Sequence, residues 1–153
     1  MVTFLLTIHV LTAILGLGVV TAFPFLGLTA EKEPRYAAVL NRMTYLISNR
    51  VIYPAMGIQL ITGVLLIIAI PLNLTKNAWL GASIILFLAV AGLATGVMSP
   101  AERKLIPILE AGDGTSIPDE ARPLMSKLRA FGTVMNVLLV AIIILMVVRP
   151  GHS

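Results

Sequence analysis

The sequence predicts an all-α integral membrane protein, a four-helix bundle of up-down topology. Three observations predict it. Of the 153 residues, 58% are hydrophobic and only 12% charged, with a mean hydropathy of +1.00. A soluble domain carries about 25% charged residues. Four apolar segments, residues 2–28, 51–70, 78–98 and 131–148, contain no Asp, Glu, Lys or Arg. Each approaches or exceeds the roughly 20 residues that a helix needs to cross hydrocarbon. The basic residues, finally, gather in two of the three connections rather than along the chain.

The first segment has no basic stretch before it and no small-residue cleavage site after it, so it reads as a retained helix rather than a removed signal. Pro24 predicts a kink near its end. Residues 29–50 mix apolar and polar positions, in a pattern that suits an interfacial helix or an extension of a span beyond the membrane. Pro54 falls in what reads as the first turn of the second span, where its missing N–H costs little. Residues 71–77, "PLNLTKN", read as a tight turn into the third span. In the connection 99–130, Ser99 reads as an N-cap, the glycines of "AGDG" as a stop, and Pro118, Asp119 and Glu120 as the first turn of a restarted helix. That helix leads into the fourth span. No composition shift or repeat divides the chain, so residues 1–153 read as a single transmembrane domain.

Connections 29–50 and 99–130 hold nine of the eleven Lys and Arg residues, leaving only Lys76 and Arg149. By the positive-inside rule the two rich connections are cytoplasmic. Both termini are then outside, as expected of a multi-pass protein of the bacterial cytoplasmic (inner) membrane. The net charge of +4 is a topology signal, and nucleic acid is not an expected partner. With no cysteine, disulfides, thiolate metal sites and cysteine nucleophiles are excluded. No span holds an acid–base pair, and no phosphate-binding loop appears.

His9 is the feature that composition does not explain. It is one of two histidines, the other being His152, and it stands about a third of the way into the first span. A neutral imidazole inside a helix bundle is a common haem or metal ligand, and intramembrane ionisable residues are functional hypotheses by default. The plainer reading is a hydrogen bond to a neighbouring helix. With alternating helix directions, the residues level with His9 include Thr62, Ser83 and Met146, with Gln59 about a turn deeper. No second histidine is among them. A single histidine ligand, a His9–Met146 pair, or a haem shared across a homodimer all remain open. Gly16 and Gly18 leave room beside the first helix for another helix or a flat ligand. Arg50 and Arg149 suit snorkelling anchors or propionate partners, and Trp79 and Tyr53 suit the interfacial aromatic belt. Gly92 and Gly96 form a GxxxG that permits close helix contact.

The stretches "IHVLTAILGLG", "IYPAMGIQLITGVLLI", "AWL" and "RAFGTVMNVLLVAIIILMVVRP", in that order, resemble the small four-helix membrane proteins grouped with HemJ-type protoporphyrinogen oxidases. They also resemble CopD-type membrane domains and a related bacterial membrane family of unknown function. The HemJ resemblance implies haem b held by a first-helix histidine, here His9. Those enzymes carry a functional lysine early in the third helix, where this chain has Gly81 or Ala82. The unknown-function branch is therefore the better match, and it implies a four-helix membrane bundle and a haem, with HemJ-like oxidase activity left open by the missing lysine. The alternative expectation is a non-catalytic accessory subunit of a larger respiratory or photosynthetic membrane complex.

Overall fold

In the computed structural model, which describes residues 1–70 and 77–150, four long helices account for nearly all of the backbone. They are α1 (Val2–Lys32), α2 (Pro34–Ala69), α3 (Ala78–Ala111) and α4 (Ala121–Val148). They alternate in direction, so both termini lie at one end of the bundle. The junctions α1–α2 and α3–α4 lie at the other. The turn expected at residues 71–77, with Lys76, lies outside the described residues apart from Asn77, as does His152.

All four predicted spans fall within these helices, but the helices run further. A 36-residue helix such as α2 is about 54 Å long, against roughly 30 Å of hydrocarbon. Residues 34–50 are therefore the beginning of α2, an extension of the span rather than a separate interfacial helix. Ser99 is not an N-cap. It lies inside α3, which continues through a π-helical turn at Ala94–Met98 into Ser99–Ala111. The Gly-rich stop holds: α3 ends at Ala111, Gly112 turns to extended backbone, and Gly114 takes φ +74°. The Asp113 carboxylate accepts from the Thr115 N–H (2.9 Å) and hydroxyl (2.8 Å), closing the turn. α4 starts at Ala121, three residues later than expected, because Pro118–Glu120 form the turn before it, with Ala121 N–H on Pro118 O (2.9 Å).

Prolines explain the local breaks. Pro24 follows a break at Thr21–Ala22 between two helical stretches of α1. Pro54 is not in a first turn, as α2 is already five turns old there. Its missing N–H and its ring clash with the carbonyl four residues back are absorbed by a π-helical turn at Ser48–Ile52. The Tyr53 N–H reaches back to Ser48 O. Pro100 is treated the same way, with the Ser99 N–H on Ala94 O.

Packing differs between the two halves. Near the termini, α1 packs chiefly on α2 and α3 on α4. At mid-height, Val20, Ile52, Val90, Ala94, Met135 and Leu139 join all four helices in one buried cluster. The far end has its own core of Ala30, Ala37, Leu105, Leu109, Ala121 and Met125. Two ion pairs skirt it, Arg42–Glu110 (3.2 Å) and Arg129–Glu31 (2.9 Å). Exposed pairs of this kind contribute at most about 1 kcal/mol, so the apolar cluster holds this end. Along the spans, large aliphatic side chains such as Ile14, Ile68, Ile85 and Val147 face outward, as lipid contact requires.

The topology makes a direct prediction. A cysteine introduced at Thr115 and one introduced at Thr3 should react with a membrane-impermeant maleimide from opposite sides of the membrane. Labelling of both from one side would refute the up-down arrangement.

Candidate functional site

The two helix pairs enclose a cleft. Its walls are Thr12, Ala13, Gly16 and Val20 from α1, Ile52, Ala55, Met56 and Gln59 from α2, Phe87 and Val90 from α3, and Met135, Leu139 and Ile142 from α4. Its free space is about 60 Å³ and almost wholly apolar, with Thr12 and Gln59 as its polar residues. Gly16 lets α1 and α2 approach closely, since a Cβ there would meet Ala55 Cβ at 3.8 Å.

His9 sits one turn beyond the cleft on the same face of α1, joined to α2 by a hydrogen-bonded chain. Its Nδ1 lies 2.9 Å from Thr62 Oγ1, and its Nε2 lies 2.9 Å from Gln59 Nε2. The Thr12 hydroxyl reaches Gln59 Oε1 at 2.6 Å. The Gln59 orientation assigns the protons. Gln59 Nε2 is an amide nitrogen and can only donate, so His9 Nε2 accepts with its lone pair and Nδ1 carries the ring hydrogen. Thr62 Oγ1 then accepts from Nδ1–H, and its own hydrogen is left for Ile58 O (2.8 Å) or Gln59 O (3.2 Å). Gly63 makes the space: a Cβ there would stand 3.3 Å from His9 Cε1.

The other sequence candidates separate from this chain. Ser83 is level with it but bonds back to Trp79 O at 2.8 Å. Met146 is half-buried and continues the α4 stripe of Met135, Leu139 and Ile142. It stands one turn beyond the cleft, as His9 does, and lines it no more than His9 does. Trp79 and Tyr53 do not form an outward belt. Trp79 is buried, with the Arg149 guanidinium 5.6 Å from its ring centre. Tyr53 is half-buried and donates to Ala94 O (3.2 Å). Gly92 and Gly96 are exposed, and a Cβ on either would touch nothing within 4 Å. Their GxxxG therefore packs no helix within the chain.

Sequence reading missed Glu102. It falls in the short helix expected between Ser99 and the glycines, where nothing singles it out. On the continuous α3 it shares the inward stripe with Met98, Leu105 and Leu109, and it is only 3% exposed. Its Oε2 is buried without a hydrogen-bond partner. The signal was available in the period of four from Ala101 through Leu105 to Leu109, had the helix been carried past Ser99.

These features define a class: an integral membrane bundle of four helices, with one polar chain tying α1 to α2 inside the span. The particular family follows from comparison. The chain belongs to the family described as "Predicted integral membrane protein (DUF2269)", whose model matches residues 3–150. Comparison with curated proteins and with solved structures gives no match.

The polar chain predicts a stability difference. Thr62→Val removes the acceptor of His9 Nδ1–H and should lower unfolding free energy in mixed micelles by about 1 kcal/mol, the order measured for interhelical hydrogen bonds in membranes. Thr95→Val, which removes only an exposed bond to Ala91 O, should change it far less. Equal effects would show that the His9 chain does not tie the helices.

Proposed function

We propose that this membrane protein binds haem b through His9 and serves one-electron transfer. The observation that carries the reading is the Gln59 amide nitrogen 2.9 Å from His9 Nε2, which makes Nε2 the lone-pair nitrogen and leaves the ring hydrogen on Nδ1, beside Thr62. A metal-ligating histidine needs this arrangement, with one ring nitrogen anchored by its N–H and the other free to donate. The present partner of Nε2 is the Gln59 amide, a rotatable side chain at the rim of the cleft. The walls are apolar and small at Ala13, Gly16 and Ala55, but with about 60 Å³ free the two helix pairs would have to part to admit a macrocycle. When bound, the haem would supply the redox couple, tuned by its ligands and by burial.

The chain's own residues do the rest. His9 Nε2 would hold the iron, with Thr62 accepting the Nδ1–H and fixing the ring. Gln59 would give up Nε2 and keep the Thr12 hydroxyl as its partner. Met146, on the same stripe of α4 as Leu139 and Ile142, is the residue proposed as a second ligand. The sequence resemblance to HemJ-type membrane proteins, which hold haem b by a first-helix histidine, is in keeping with the same reading. We place the termini outside, in a bacterial cytoplasmic membrane, because nine of the eleven basic residues sit towards the opposite end. His9 then lies towards the outer face, where a quinol or an external donor can exchange electrons.

A second reading, an accessory subunit, rests on the GxxxG of α3. Gly92 and Gly96 are open on the outer surface, and a helix of a second copy or of a larger redox complex would fit against them. Stoichiometric co-purification in gentle detergent, lost in Gly92→Leu/Gly96→Leu, would favour it.

For the haem, oxidised and reduced spectra of the purified protein should show b-type Soret and α bands that His9→Ala abolishes. Met146→Leu should shift the spectrum without emptying the site. A colourless protein, expressed with ample haem and correctly inserted, would end the proposal. For the orientation, a cysteine at Thr115 should stay unlabelled by an impermeant reagent in intact cells.

A further inference from the structure

Glu102 belongs to no part of the His9 site. It lines two adjoining cavities in the half of the bundle away from the termini. The larger, about 70 Å³ and open to the surface, is walled by mostly apolar residues of α1 and α4, by Asn41 and Thr44 of α2, and by the Glu31–Arg129 pair. The smaller, about 30 Å³, adds Ser48, Tyr53 and Asn136.

The hydrogen-bond directions give these cavities a definite chemistry. Thr44 donates to Leu40 O (3.0 Å), and Tyr53 donates to Ala94 O (3.2 Å). Asn41 and Asn136 each donate to the carbonyl four residues back, at 3.0 and 2.9 Å. Thr44 and Tyr53 thus spend their only hydroxyl hydrogens, Thr44 within its own helix and Tyr53 on α3, and keep oxygen lone pairs for the cavity, while each Asn commits one of its two N–H groups and keeps its amide oxygen. Glu102 adds a carboxyl whose Oε2 has no partner. The nearest cation along the lining, Arg129, is held by Glu31 at 2.9 Å. Arg103 and Lys104, next in sequence, lie on the exposed side of α3. The lining is thus rich in acceptors, holds the Glu31–Arg129 pair and one further acid group outside any ion pair, and is otherwise mostly apolar.

A ligand for such a lining must donate hydrogen bonds, carry positive charge and present an apolar body. A bare divalent ion is a poor match. It needs several hard oxygen ligands, and the described residues contain no group of three His, Cys, Asp or Glu able to hold a metal. We propose that the paired cavities bind an organic ammonium, its head against Glu102 and its apolar body between α1 and α4. The ammonium could belong to a free amine or to an aminophospholipid headgroup. The proposal is independent of haem at His9.

The test is equilibrium binding of radiolabelled octylamine to the full chain in dodecyl maltoside micelles, which contain no ammonium, with empty micelles as the partition blank. Saturable binding near one per chain is expected, and excess octanol should not displace it. Glu102→Gln should weaken binding at least tenfold while leaving a monodisperse elution profile. Gly132 lines both cavities, and a Cβ there meets only Met98 Cε, at 3.9 Å. Gly132→Leu keeps the carboxyl but fills the space, and should weaken binding similarly. It carries the test alone if Glu102→Gln fails to fold. Added phosphatidylethanolamine should compete where phosphatidylglycerol does not if the natural ammonium is a lipid headgroup. Octylamine binding unaffected by either lipid supports a free amine. Absence of saturable binding, displacement by octanol, or wild-type affinity in the variants would overturn the proposal.

Discussion

Hydrocarbon offers no hydrogen-bond partner, and nearly every local choice in this chain follows from that. Backbone groups must bond within their own segment, so the spans are helices. The same constraint governs side chains. Thr7, Thr29, Thr44, Thr62, Thr95 and Asn136 each donate to the carbonyl four residues earlier, as Ser83 does from its buried position. Each polar group is thereby satisfied without help from a neighbour and places no demand on packing. Against this background, polar bonds that cross between helices within the spans stand out. Among the described residues they are the His9 chain to Gln59 and Thr62, the Thr12–Gln59 bond, and the Tyr53 hydroxyl on Ala94 O.

The two unusual ionisable groups answer the constraint in opposite ways. His9 is placed where both ring nitrogens find partners, one fixed and one rotatable. It costs little at rest and can still exchange one partner. Glu102 is placed where one oxygen finds none, although Arg129 lines the same cavity and is tied elsewhere. Burying an unsatisfied acceptor is a standing cost. A fold that needed only packing at that point would gain from a leucine there. The asymmetry separates a site that is complete without a ligand from one that is not.

Much of this was legible in sequence, because the membrane simplifies the reading. Charge-free runs of span length have only one structure available, and Pro24 marked a real break. Helix direction and a rise of 1.5 Å per residue were enough to put Thr62 level with His9, because depth in a bundle is one-dimensional. The failures share a cause. Outside the hydrocarbon, Ser99 and Pro100 look like the start of a new helix, so the segment holding Glu102 reads as separate from the third span and its packing against α1 and α4 is not foreseen. Whether residue 102 faces water depends on α1 continuing to Lys32 and on α4 beginning at Ala121, neither of which is local. Ser99 beside Pro100 is a fair helix start by local rules. It failed because α3 had a π-helical turn with which to pass the proline. The GxxxG failed as an internal contact for a simpler reason: small residues license close approach without saying which helix approaches.

The backbone breaks are themselves organised. Pro24, Pro54 and Pro100 stand on three different helices, and each is preceded by an irregular turn, at Thr21–Ala22, Ser48–Ile52 and Ala94–Met98. Val20, Phe23, Ser48, Ile52, Ala94 and Met98, all within or beside those turns, line the smaller cavity that Glu102 also lines. An interrupted ladder loosens carbonyls, and loosened carbonyls in lipid are tolerated only where protein or a cavity receives them. The Tyr53 hydroxyl on Ala94 O is one such reception, a donor from the broken turn of α2 meeting a carbonyl in the broken turn of α3. Gathering three breaks at one level keeps the irregular backbone inside the bundle, in contact with the one buried acid. The regular ladders on either side face lipid above and pack into the second apolar core below. The cavity's acceptor character is therefore a property of the backbone as well as of Glu102, and replacing the acid alone would leave part of it in place.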